Sequence, residues 1–162
     1  VEKVPMNKRL KQKGFTIIEV VLVLAIAGLI FLMVFIALPA LQRTQRDTQR
    51  KNDMGRVETA LSSYQSNNRN ALPPASDAGW AKFMADYLIV GNDSFQDPSF
   101  GSYIFKYKGT VYTTPTDPIS NSGEVWVFGS ATCNGEDVQA GSSREVAIAI
   151  KLEGGGVYCV NN

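Results

Sequence analysis

From Phe15 to Leu38 the sequence reads FTIIEVVLVLAIAGLIFLMVFIAL, 24 residues with a single charge, Glu19. As a helix rising ~1.5 Å per residue this run reaches ~36 Å, enough to cross a hydrocarbon core of ~30 Å. It is apolar on every face, so it needs lipid or other apolar helices around it. Glu19 is the exception within it. An ionisable group in a span costs roughly 2.5–3.5 kcal/mol at the bilayer centre, less near the ends, and is functional by default.

The residues before the run carry Lys3, Lys8, Arg9, Lys11 and Lys13 against Glu2 alone, whereas the remainder has eleven basic and fourteen acidic residues. The basic cluster places the N-terminal side in the cytoplasm and exports the rest, although Arg43, Arg46, Arg50 and Lys51 beyond the span pull the other way. A secretory signal cut after Ala25–Ala27 is an alternative. It leaves an exposed apolar tail and gives Glu19 no purpose. A plain uncleaved anchor leaves Glu19 equally unexplained. A cut between Gly14 and Phe15 does explain it. The new α-amino group, with a reference pKa of ~7.7–8, lies one helical turn from the carboxylate. The helix macrodipole also favours an acid there. In an assembly the pair forms within one chain or between neighbours, and so marks register.

The stretch KGFTIIEVVLVLAIAGLI resembles the N-terminus of a type IV prepilin, through Lys13, Gly14, Phe15, Thr16, Glu19 and Gly28. Pro39 comes three residues later than the usual helix proline of that family. The resemblance implies removal of residues 1–14 by a prepilin peptidase, N-methylation of Phe15, and pairing of Glu19 with the terminal amine of an adjacent subunit. It further implies insertion in the cytoplasmic membrane, then growth by the pilus assembly machinery into a homo-oligomeric surface filament. Filaments of this class serve adhesion, motility or DNA uptake. Type II secretion pseudopilins share the motif, and a minor tip pilin that captures DNA or a surface is a further reading.

Beyond the span, residues 39–67 read as a continuation of the helix. Its upper part, 42–53, is polar all round and is expected to pack against nothing in its own chain. Met54, Val57, Leu61 and Tyr64 then form an apolar stripe. Arg43, Arg46 and Arg50 make a basic stripe within reach of DNA phosphates. No aromatic residues interleave with them, so a solvated or subunit-facing surface is the preferred reading and nucleic acid is not indicated.

Residues 68–162 read as a globular head. After a loop at 67–79, Ser76 or Asp77 caps a helix over 78–90, ended by Gly91-Asn92, with Trp80, Phe83, Met84, Tyr87 and Leu88 as its core stripe. The turn DPSFG (97–101) leads into an aromatic strand, as in pilins and major pseudopilins. EVWVFGS (124–130) is apolar on both faces, like a central strand. EVAIAIKLEGGGVYCV (145–160) is a hairpin around Gly154–Gly156 with Val146, Ile148, Ile150 and Leu152 on one face. The expected fold class is α+β, a long N-terminal helix on an antiparallel sheet.

Cys133 and Cys159 read as one disulfide if this part is exported, or as inert thiols if it is not. Export favours the disulfide, and the resemblance implies one closing a C-terminal loop. Glu136 and Asp137 by themselves are a poor calcium site. There is no histidine, no nucleophile–base pair and no metal-ligand cluster in the sequence, and Gly154–Gly156 lack the lysine and helix of a phosphate loop. Neither enzyme activity nor a cofactor is expected.

Overall fold

A computed structural model describes residues 14–91, 93–109 and 123–162. Helix α1 runs from Ile17 to Asn67 and contains Pro39 without ending there. The chain divides into two units at Ala40/Leu41. In the first, the α1 residues are long and apolar enough to cross a membrane, and none of them is buried. Phe15 is 90% exposed. An apolar surface of this kind is stable only in lipid or against other helices.

The second unit is α+β. Its part of α1 is followed by α2 (Asp77–Tyr87) and by strands β1 (Gln96–Asp97), β2 (Gly101–Ser102), β3 (Ile104–Gly109), β4 (Glu124–Gly129), β5 (Ala131–Asn134), β6 (Asp137–Ala140), β7 (Val146–Lys151) and β8 (Val157–Asn161). The main sheet has the order β3-β4-β7-β8, while β1-β2 and β5-β6 are separate hairpins. Pairs β4-β7 and β7-β8 are antiparallel, the second as the glycine turn predicts. Pair β3-β4 is parallel, so the sheet is mixed and not wholly antiparallel. Fourteen residues, 110–123, join these two strands. That length suits the crossover a parallel pair requires, where a hairpin needs only a few residues.

Strand alternation sends side chains to two cores. Val125, Val127, Val146, Ile148 and Ile150 meet Met54, Val57 and Leu61 of α1 and Trp80 and Phe83 of α2. Trp126, Phe128, Ala147 and Ala149 face the other way and pack with Ala131 and Val138 of the β5-β6 hairpin. The predicted aromatic stripe of α2 is core, with Tyr64 edge-on to Phe83 at 5.7 Å. Its cap is Ser76, whose Oγ accepts from Gly79 N at 3.1 Å. The helix stops at Tyr87, short of Gly91; Leu88 is its C-cap, and the next residue, Ile89, donates to the same Met84 O that Leu88 uses. Asn92 and the Thr110–Ser122 segment lie outside the described residues.

Candidate functional site

At the head of α1, Gly14 and Phe15 are exposed and non-helical, and the space around Gly14 is open. Thr16 and Glu19 close the helix reciprocally. The Thr16 N–H and Oγ1 both donate to Glu19 Oε2 at 2.8 Å, and Glu19 N donates to Thr16 Oγ1 at 3.3 Å. This is a capping box, which satisfies backbone donors that a helix start leaves without partners. Glu19 is thus held at the helix start by Thr16. The signal for this contact, Thr-x-x-Glu ahead of an apolar run, is present in the sequence, though the reading above assigned Glu19 only to the terminal amine.

Inside the second unit the polar part of α1 is not bare, contrary to the expectation for 42–53. Asp47, Arg50 and Asp53 are buried. Arg50, whose side chain is 2% exposed, forks onto Asp97 through Nε at 2.6 Å and Nη2 at 2.9 Å. It also reaches Asp47 at 3.0 Å and Glu153 at 2.8 Å. Arg46 donates to the same Glu153 at 2.6 Å. Asp47 in turn accepts the N–H groups of Glu153 at 2.8 Å and Gly154 at 2.7 Å. Asp97 accepts those of Ser99 and Phe100, which fixes the β1-β2 turn. One arginine therefore fastens α1 to two turns of the β-structure. Planar, bidentate pairing of this kind is what arginine does and lysine does not.

Below the arginine, Tyr103 donates its hydroxyl to Asp53 at 2.9 Å, and Arg56 pairs with Asp53 and Asp93. Two of the three arginines in the basic stripe, Arg46 and Arg50, are accordingly engaged within the chain by Glu153, Asp97 and Asp47. The clue in the sequence was positional. Asp47 and Arg50 extend the 3–4 spacing of Met54, Val57, Leu61 and Tyr64, but a search for apolar residues passes over them. Their partners lie about fifty and a hundred residues away in the chain.

The electrostatics follow the geometry. Hydrogen bonds from Arg46, with Ser99 and Arg50, hold the Glu153 carboxyl down at about 2 against an ordinary 4.5, while burial opposes them. Burial pushes the Asp53 carboxyl up, with the Tyr103 hydroxyl and Arg56 opposing. The hydroxyl of Tyr103 is itself pushed well up by burial and by Asp53. Because the folded Glu153 pKa is depressed, its contribution is complete above pH 4.5 and fades as pH falls toward 2. Asp53 has the opposite sign and does not share that loss. Thermal unfolding against pH should therefore steepen through this acid window, and Glu153→Gln should flatten the slope while lowering the midpoint at neutral pH. Parallel curves for the two proteins would contradict the assignment.

Cys133 on β5 and Cys159 on β8 are joined in a disulfide, with Cα atoms 5.8 Å apart. It anchors the β5-β6 hairpin, which also meets β8 through packing on Val157 and a Cys133 N to Asn161 Oδ1 bond of 3.4 Å. In the chain-entropy model a loop of this size contributes about 3–4 kcal/mol. Glu136 and Asp137 stand at the hairpin tip. No group of three or more His, Cys, Asp or Glu side chains able to hold a metal occurs among the described residues.

Residues 9–35 match the family model for the prokaryotic N-terminal methylation motif. Comparison with curated proteins and with solved structures gives no match. The matched segment spans Arg9, Lys11 and Lys13, the Gly14-Phe15 pair, the Thr16–Glu19 capping box and most of the apolar helix. With that motif at the head of a long apolar helix, the chain carries the class III signal sequence of the type IV pilin and pseudopilin family.

Proposed function

We propose that this chain is a structural subunit, the major pilin, of a type IV pilus. It inserts in the cytoplasmic membrane through residues 15–38 and is cut between Gly14 and Phe15 by a prepilin peptidase. That enzyme also methylates the new amine. The pilus machinery then draws the subunits into a filament in which apolar helices pack on one another in place of lipid. Glu19 meets the Phe15 amine of a neighbour as each subunit docks, while residues 68–162 form the exposed head. The observation that carries this reading is the fully exposed apolar helix headed by the methylation motif. A carboxylate at that helix start leaves an inserted monomer with an insertion cost and gives an assembly a pairing point.

The test is the mass of the mature protein and where it is found. Intact mass should correspond to a chain starting at Phe15 with one added methyl, recovered from the filaments sheared off producing cells. A chain beginning at Val1 or Gly28 would exclude this processing. Mature protein that stays with the cell envelope, with no sheared filament, would favour a secretion pseudopilin. Gly14→Leu should leave the leader attached, because the added side chain obstructs the tight cleft that glycine enters.

A further inference from the structure

We propose that Asn134-Gly135, at the tip of the β5-β6 hairpin, is a self-modifying site that converts spontaneously to aspartyl and isoaspartyl forms with water as the only co-reactant. It is the one Asn-Gly pair in the chain. Asn134, Gly135 and Glu136 are all exposed. Asn134 pairs with Asp137, so Gly135 and Glu136 form a two-residue loop. Gly135 has φ +66° at its first position, the place that a type II′ turn reserves for glycine. In such a turn the N–H of that glycine points outward, and it donates to no other backbone group among the described residues. The side-chain amide of Asn134 makes no hydrogen bond among the described residues.

Both reacting groups are therefore unengaged, and glycine adds no Cβ to obstruct their approach. The Gly135 nitrogen attacks Cγ of Asn134. The new N–Cγ bond closes a succinimide, the Cγ–amide bond breaks, and ammonia leaves with the proton from Gly135. Water then opens the ring at either carbonyl. One opening gives aspartate. The other gives isoaspartate and places an extra methylene in the main chain. Nothing is oxidised or reduced.

Among the described residues, three other asparagines are held in place. The nitrogen after Asn67 donates to Tyr64 O, and that after Asn70 donates to Asn68 O. Asn52 is followed by Asp53 within α1. The extended backbone of Asn134 holds the two groups apart, so reaction passes through opening of the tip, where local stability is lowest.

The product alters the hairpin that covers the second core. A new carboxylate joins Glu136 and Asp137, and Glu136 already lies against Gly156 of the β7-β8 turn, where a Cβ would meet its Oε1 at 2.7 Å. The isoaspartyl methylene falls directly after disulfide-bonded Cys133. Conversion should loosen residues 131–140 while leaving the helix-facing core unchanged.

The experiment incubates the folded, detergent-solubilised, disulfide-intact chain in mildly alkaline buffer and follows it by peptide mass spectrometry, beside a reduced and denatured sample. In the folded protein most of the Asn134 amide should be lost before Asn52, Asn67 or Asn70 converts measurably. Asn134→Gln should show no conversion, since its longer side chain must close a larger ring. Hydrogen exchange of 131–140 should be faster in the converted fraction, with α1 and α2 exchange unchanged. Retention of the amide in the folded chain while the denatured chain converts would overturn the proposal. So would equal conversion at Asn52, Asn67 and Asn70, or unaltered exchange after conversion.

Discussion

Replacing Arg50 by methionine lowers the stability of the second unit by about 3–5 kcal/mol, the cost of leaving a buried carboxylate without its partner. Asp97 has no exposed side-chain surface and accepts two of the arginine's bonds. Asp47 and Glu153 lose a third and a fourth. Methionine matches the stem of arginine but none of its donors. A domain of this size has only about 5–15 kcal/mol in total, so the thermal midpoint should fall by roughly ten degrees or more. Adding Asp97→Asn should recover part of the loss, because the remaining group is then polar and uncharged. Circular dichroism melts of the detergent-solubilised chain measure both. A loss under ~1 kcal/mol would mean that water reaches the cluster and that the ion pairs hold nothing together.

Glu19→Val has an effect of a different kind. The variant should insert in the membrane at least as well as the parent, since a carboxylate has been removed from the span. It should still be cut after Gly14. Surface filaments should fall to background, because each Phe15 amine then enters an apolar bundle with no partner, at several kcal/mol per subunit. Loss of the capping box contributes only about 1 kcal/mol of helix stability, too little to abolish assembly by itself. The measurement is the subunit in the sheared surface fraction relative to the membrane pool. Thr16→Val separates the two roles, as it breaks the cap while leaving the carboxylate. Normal filaments from Glu19→Val subunits alone would remove the pairing role and leave Glu19 as a helix cap. Filaments lost equally in both variants would assign the defect to the cap.

What the sequence by itself determined is everything that depends on neighbours in the chain. An apolar run of 24 residues with a single charge can be stable only as a helix among lipids or helices, and its head carries the Gly-Phe and Thr-x-x-Glu signals within six residues. Apolar residues on both faces marked β4 as a central strand, alternation gave β7 one face, and Gly154–Gly156 marked the β7-β8 turn, because strand pattern and turn chemistry are local. The aromatic stripe of α2 was legible for the same reason, though its C-terminal end was not: Leu88 joins the core in place of a further helical turn. Tertiary structure decided what depends on partners far along the chain. Arg50 looks like solvated surface until Asp97 and Glu153 are brought beside it, and only then is burying a guanidinium on the apolar face of α1 affordable in free energy. The parallel pairing of β3 with β4 is likewise invisible in the strands themselves, since alternation fixes which face a side chain takes and says nothing of direction.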